Sequence, residues 1–202
     1  MDPPYPAPSL SLATKLATPR LVLRPPRATD VPELRRALRA SAEHLRAWNP
    51  AALPGEDPTS VTAVSRSIAI HRRAWRHGLD YNFLAMDGPD GETLVSRVTL
   101  SNVIRGVFHS AHLGYWTNVE RIDSGFATEA VGRVVRFAFE EACLHRVQAA
   151  VMPTNVKSLR VLEKLGFRHE GRAEHYLFIG GAWQPHEIFA RTREDLGANP
   201  ET

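Results

Sequence analysis

A turn of small residues followed directly by an amphipathic helix is the first feature of this chain that could carry chemistry. Backbone N–H groups point outward at such a helix start, and the helix dipole favours negative charge there. The turn predicts an anion site, although many helices begin in this way without a ligand. The turn and first helical residue are Asp123, Ser124, Gly125, Phe126, Ala127 and Thr128. The apolar face that follows consists of Val131, Val134, Val135, Ala138, Phe139 and Ala142.

A second candidate motif follows the next predicted strand, residues 145–152. A short polar turn leads from this strand to Asn155 and to a further amphipathic helix that ends at Gly166. Asn155 is suited to cap this helix, and Ser158 lies in its first turn. A loop, a helix, a strand and a helix in this order make half of an α/β sandwich.

The second motif, with the pattern N-x-x-S-x-R-V-L-x-x-L-G-F over residues 155–167, resembles the closing motif of the GNAT acetyltransferases. The stretch SGFATEAV, residues 124–131, resembles their pyrophosphate loop. Three further stretches are similar to the RimJ branch of that family, the N-terminal acetyltransferases of ribosomal proteins, and the resemblance covers roughly residues 18 to 195. Those stretches are residues 101–116, 144–158 and 170–190.

This resemblance implies a three-layer α/β fold, the GNAT fold. We expect a mixed central sheet of about seven strands with helices on both faces. One parallel pair, formed by the strand that ends at Thr117 and the strand at 146–152, should splay apart, so that acetyl-CoA lies in the gap much like an extra strand. Splaying leaves backbone N–H groups unpaired, and one of them can polarise the thioester carbonyl.

The resemblance also implies how individual residues hold acetyl-CoA. The turn at 123–127, with Thr128 opening the helix, would hold the pyrophosphate. Tyr115, Trp116 and Thr117 would lie beside the pantetheine arm. Asn155 matches a residue that hydrogen-bonds the pantetheine in relatives, and it can cap its helix as well. No metal is expected, because no group of histidines, cysteines and carboxylates has ligand spacing.

The catalytic assignments are less constrained. Ser158 matches a position that protonates the departing CoA thiolate in some relatives, and its alternative is a solvated helix residue. His112 and His109 are candidates for the base, and the alternative for each is an exposed strand histidine without a catalytic role. An α-amine has a pKa of roughly 8, so about a tenth is neutral at pH 7 and a strong base is unnecessary. Glu129 is expected to complement the helix dipole.

One pair of residues departs from the family pattern. Ile122 and Asp123 stand where relatives usually have Arg, Gln or an aromatic residue and then Gly. A carboxylate near a pyrophosphate is electrostatically unfavourable, so the substitution bears on cofactor affinity. Asp tolerates positive φ better than most residues, which preserves the geometry of the turn.

Composition describes one ordinary globular domain of 202 residues with a net charge of +3. We expect the domain over residues 18–196, a disordered or loosely docked tail over 1–17 and a short tail over 197–202. The single cysteine, Cys143, excludes an internal disulfide and is expected to be inert core. No apolar run approaches 18 residues, so no membrane span is expected, and the N terminus lacks the pattern of a signal peptide. A cytoplasmic location is the default expectation.

Periodicity and turn residues predict the remaining elements. Pro25 and Pro26 end the first strand, and Gly180 and Gly181 join the last two. The predicted strands are 20–24, 81–86, 94–103, 109–116, 146–152, 169–179 and 183–191, with a turn at 88–91; helices are predicted over 30–41 and from Pro58 or Thr59 onward.

Three functions remain open at this point. The first is acetylation of a protein N terminus, in particular that of a ribosomal protein with Ala or Ser first. The second is the same chemistry on a small amine such as an antibiotic or a polyamine, and the third is a non-catalytic acyl-CoA-binding or ribosome-associated module. Trp48, Tyr115 and Trp183 could wall a narrow acceptor opening. Direct nucleic-acid readout is not expected, and the choice between monomer and homodimer stays open.

Overall fold

The computed structural model describes residues 8–52, 55–88 and 93–196. Within these residues lie eight strands, four α-helices and three short 3-10 turns. The strands are β1 (Leu16–Ala17), β2 (Leu21–Arg24), β3 (Tyr81–Asp87), β4 (Thr93–Ile104), β5 (Ser110–Thr117), β6 (Arg146–Val151), β7 (Arg168–Ile179) and β8 (Ala182–Thr192). The helices are α1 (Val31–Arg46), α2 (Val61–Arg76), α3 (Phe126–Glu140) and α4 (Val156–Lys164).

The strands form one mixed sheet in the order β1-β2-β3-β4-β5-β6-β8-β7. Neighbours are antiparallel except for the parallel pair β5 and β6. The expected mixed sheet with a parallel pair is therefore confirmed. The additional strand over the expected seven is β1, whose two residues pair with Val22 and Leu23. Two residues are too few for an alternating pattern to reveal a strand.

Helices cover both faces of the sheet, as expected. Alternation along β3 sends Tyr81 and Phe83 to the larger apolar cluster, which contains α3, and sends Leu84 and Met86 to a smaller cluster with α1 and α2. Trp75, near the end of α2, joins the larger cluster, where its ring lies 5.0 Å from that of Phe83. Burying one large apolar side chain contributes roughly 1.5–3 kcal/mol.

The apolar face predicted for α3 is fully buried: Val131, Val134, Val135, Ala138, Phe139 and Ala142 all lie in the larger cluster. Phe137 is buried as well and contacts the rings of Tyr81 and Phe83. The prediction missed it because α3 is enclosed on more than one side. Cys143, just after the helix, is half-buried and has a φ of +51°.

The described part of the expected N-terminal tail, residues 8–17, contacts the domain. Leu16 is buried, Leu10 packs against the larger cluster, and the Trp75 Nε1 donates to the Leu10 carbonyl at 3.0 Å. Residues 1–7, the tail at 197–202 and most of the turn expected at 88–91 lie outside the described residues. Over the ranges that are described, no helix is both long and apolar enough to cross a membrane.

Candidate functional site

The parallel strands β5 and β6 stay paired over only part of their length. Their register runs from Ser110 opposite Arg146 to Leu113 opposite Ala149. β5 then continues to Thr117 and pairs there with β4, while β6 continues along β8. The two strands therefore part after Leu113, and the backbone of 114–117 on the side of β6 lies outside this ladder. This is the splayed gap expected from the sequence.

A cleft of about 550 Å³ opens at this gap, between the end of β5, the first turns of α3 and α4, and the end of α1. It brings together most of the residues singled out as a cofactor site. They are Tyr115, Trp116, Thr117, Asp123, Gly125, Phe126, Ala127, Thr128, Asn155 and Ser158. Ser124 is not among the lining residues; its hydroxyl donates to the Ile122 carbonyl at 3.2 Å. Cofactor contacts by these residues stay a prediction.

The turn before α3 has the backbone needed to hold an anion. Gly125 precedes the helix with a φ of +77°, and Asp123 has a φ of +61°. The Glu129 N–H donates to the Gly125 carbonyl at 3.1 Å, so the N–H groups of residues 126–128 precede that first helical bond. A side chain at Gly125 would begin 3.5 Å from Arg20 Nη2 and would be strained by the positive φ.

Arg20, the residue before β2, connects this turn to that strand through hydrogen bonds. Its Nη1 donates to the Ser124 carbonyl at 2.9 Å, its Nε donates to Glu129 at 2.6 Å, and its guanidinium lies 4.2 Å from the centroid of the Phe126 ring. Glu129 also accepts from the Thr18 hydroxyl at 2.6 Å. Burial raises the pKa of Glu129, but the hydrogen bonds from Thr18 and Arg20 outweigh it and leave the pKa below its usual value. Glu129 thus stays charged and anchors the turn.

An ion pair joins the turn to α4 across the cleft. Lys157 Nζ lies 2.7 Å from Asp123 Oδ2, and both side chains are largely exposed. Lys157 therefore supplies a counter-charge to the carboxylate that departs from the family pattern. Three further basic residues line the cleft, namely Arg121, Arg160 and Lys164. This excess of positive charge suits a phosphate-bearing ligand.

Tyr115 and Ser158 form a hydrogen-bonded pair inside the cleft. The Tyr115 hydroxyl lies 2.6 Å from Ser158 Oγ and 3.2 Å from the Ser158 carbonyl. Burial raises the pKa of Tyr115 to about 12, against a smaller lowering by the hydrogen bond with Ser158, so the phenol is neutral at physiological pH. Asn155 Oδ1 accepts from the Ser158 N–H at 3.2 Å, which confirms Asn155 as the cap of α4.

A sequence model described as "Acetyltransferase (GNAT) domain" matches residues 20–168, which include the turn, the splayed strands and α4. The chain belongs to the GNAT acetyltransferase family. The fold and the family resemblance expected from the sequence are both confirmed.

Two curated relatives and one solved structure extend this comparison. The Bacillus subtilis protein named "Probable N-acetyltransferase YjcK" is 36% identical over 140 residues, 69% of this chain and 77% of that protein. The ribosomal protein uS5-alanine N-acetyltransferase of Escherichia coli is 30% identical over 181 residues, 90% of this chain and 92% of that enzyme. The structure of Mycobacterium smegmatis RimJ in complex with CoA-disulfide is 33% identical, with a TM-score of 0.83 over 94% of this chain and 90% of that one.

The two histidines proposed as bases lie away from the cleft lining of this GNAT domain. His109 is buried before the start of β5, where its carbonyl accepts from the N–H groups of His145 and Arg146. His112 pairs with Gln148 in the sheet, before the strands part, and its Nδ1 lies 3.2 Å from Asn102 Nδ2. Both residues come before Leu113, the last residue at which β5 pairs with β6, whereas the cleft opens after it.

His44 is the histidine that lines the cleft, and sequence reasoning missed it. The apolar pattern predicted a helix over 30–41, but α1 continues to Arg46. The extra turn carries His44 to the cleft, and Trp48, two residues after the helix, lines the cleft as well. A role of Trp48 in an acceptor opening stays a prediction. Trp183 is 59% exposed and lies outside that lining, next to the β7–β8 turn, where it contacts Phe178. Across the described part of the chain, no group of three or more histidines, cysteines or carboxylates could hold a metal ion.

Proposed function

We propose that this protein transfers the acetyl group of acetyl-CoA to the N-terminal α-amine of a protein, with a ribosomal protein that begins with Ala or Ser as the acceptor. The observation that carries the proposal is the extent of the match to the Escherichia coli enzyme that acts on the alanine of uS5. That match spans 181 residues and therefore reaches beyond 20–168, the part matched by the family model. It therefore covers nine-tenths of this chain, including the turn proposed to hold the cofactor.

The residues of the cleft fit CoA. The pyrophosphate would accept from the backbone N–H groups of residues 126–128, where Gly125 keeps the approach open. Lys157 and Arg160 supply positive charge on the facing wall. The pantetheine arm would lie along residues 114–117, in the gap where β5 has left β6. The Mycobacterium smegmatis structure with CoA-disulfide supports this assignment, because its fold is so similar.

The chemistry needs modest help from the protein. The neutral amine adds to the thioester carbonyl, and a backbone N–H of the splayed strand can stabilise the oxyanion that develops. Ser158 lines the cleft and can protonate the sulfur as it leaves. At pH 7 the neutral fraction of an α-amine is roughly a few hundred times that of a Lys amine, because their pKa values differ by about 2.5. Water can therefore accept the proton.

The test is acetyl transfer to a peptide that carries a free N-terminal Ala and an internal Lys. Mass spectrometry should find the acetyl group on the Ala nitrogen and little on the Lys side chain. The matched control is the same peptide with a blocked N terminus, which should remain unmodified. Acetylation mainly of Lys, or only of an added aminoglycoside or polyamine, would contradict the proposal.

A further inference from the structure

Tyr115 lies at the point where β5 has parted from β6. Its side chain lies on the same face of β5 as that of Leu113 and packs against the larger apolar cluster, so the ring is fixed by the core. Among the residues that the structure describes, both hydrogen bonds of its hydroxyl are with Ser158, in α4. The splayed strand is thereby connected to the first turn of α4 through one phenol.

Either hydroxyl can be the donor in the hydrogen bond between Tyr115 and Ser158. The Ser158 carbonyl can only accept, and it lies at the longer distance of 3.2 Å, whereas the Ser158 Oγ is 2.6 Å from the phenol. If Ser158 donates to Tyr115, its proton is not available to a ligand. If Tyr115 donates to Ser158 Oγ, the Ser158 proton is free to point into the cleft. The second arrangement is the one that a proton donor needs.

We propose that Tyr115 is a positioning residue, which donates to Ser158 Oγ and thereby directs the Ser158 proton toward the leaving sulfur. This inference rests on the proton-donor role of Ser158 in the proposed function. In the reaction the amine nitrogen forms a bond to the carbonyl carbon, and the C–S bond breaks with its electron pair on sulfur. The Ser158 proton moves to that sulfur, Ser158 regains a proton from water, and the amine nitrogen loses one to water.

Tyr115 is not itself the acid, because within the described residues both hydrogen bonds of its hydroxyl are with Ser158. Burial raises the pKa of its phenol to about 12, so it remains a neutral hydrogen-bond donor throughout the reaction. Its contribution therefore passes through Ser158.

The experiment compares Tyr115→Phe, Ser158→Ala and the double variant with the unchanged protein, using acetyl-CoA and an N-terminal Ala peptide. Phe keeps the ring and its packing and removes only the hydroxyl. We expect Tyr115→Phe to lower kcat about tenfold, which is less than the roughly 10²–10⁴-fold contribution of a general acid because Ser158 is still present. The KM for acetyl-CoA should stay within about twofold of its original value. The double variant should be no slower than Ser158→Ala, because Tyr115 has nothing left to position.

Tyr81→Phe is the matched control. It removes another buried hydroxyl, one that accepts from Arg105 at 3.2 Å and lies outside the cleft lining, and its kcat should be unchanged. The role of Tyr115 would be refuted if the two losses of kcat multiply in the double variant, or if Tyr115→Phe has the kcat of the unchanged protein. Neither result would bear on the proposed function. A Ser158→Ala variant with full activity would overturn the Ser158 role on which it rests, and N-terminal acetylation would still be measured independently in the same assay.

Discussion

The Asp123–Lys157 ion pair lines the cleft in which CoA is proposed to bind. Asp123 brings a negative charge to a turn that is expected to bind a pyrophosphate, and Lys157 lies 2.7 Å from it on the facing wall. We predict that Asp123→Asn tightens CoA binding about three- to fivefold, because it removes the repulsion. Lys157→Met should weaken binding about five- to tenfold, because it removes a cation and leaves the carboxylate uncompensated.

The magnitude follows from the exposure of both side chains. The side chains of Lys157 and Asp123 are 60% and 66% exposed, so solvent screens them and the pair itself contributes about 0–1 kcal/mol. Two unit charges 4 Å apart interact with about 1 kcal/mol in water, and 1.4 kcal/mol corresponds to a factor of ten in Kd. Asn also tolerates the positive φ of +61° at this position, so the turn should keep its shape.

The assay is isothermal titration of CoA at low and at high salt. Both effects should shrink as ionic strength rises, since exposed charges are screened. Pantetheine, which lacks the pyrophosphate, serves as the control ligand and should bind both variants like the unchanged protein. Weaker CoA binding by Asp123→Asn at low salt, or an equal change in pantetheine binding, would refute the electrostatic reasoning.

Three further predictions concern the same cleft. Gly125→Val should weaken CoA binding at least tenfold by calorimetry, because valine is strained at a φ of +77° and closes the approach to the backbone; unchanged affinity would place the phosphate site elsewhere. Arg20→Met should raise the KM for acetyl-CoA more than it lowers kcat, since the turn loses its fastening to Ser124; the opposite split would argue against a positioning effect. If a histidine relays the proton of the amine, His44→Ala should lower kcat while His112→Ala does not, and the reverse result would restore His112 as the candidate.

Sequence periodicity predicted the elements whose burial is one-sided and regular. Most of the sheet and the buried face of α3 were found in this way, because alternation and helical spacing are local properties. Periodicity did not predict the two-residue strand β1 or the last turn of α1, since neither adds enough apolar residues to extend a pattern. The missing turn of α1 is the reason that His44 was overlooked.

The cleft itself could be predicted only as far as its parts are contiguous in the chain. The turn at 123–128 and the pair Asn155 and Ser158 are local motifs, and the structure brings both to one cleft. The side chains that hydrogen-bond to these motifs come from residues far away in the sequence. Arg20 reaches Ser124 across 104 residues, and Tyr115 reaches Ser158 across 43. Such contacts carry no periodic signal, so only the fold reveals them.

These distant contacts bear on how the turn, despite Asp123, would hold the proposed pyrophosphate. Asp123 introduces a charge that opposes phosphate, but the positive φ is one that Asp tolerates, and Lys157 offsets the charge from α4. Arg20 holds the rest of the turn through backbone and ring contacts, which do not depend on the residue at 123. The geometry of the proposed anion site and its charge therefore depend on different residues. Substitutions at 123 should accordingly tune affinity for CoA without dismantling the turn.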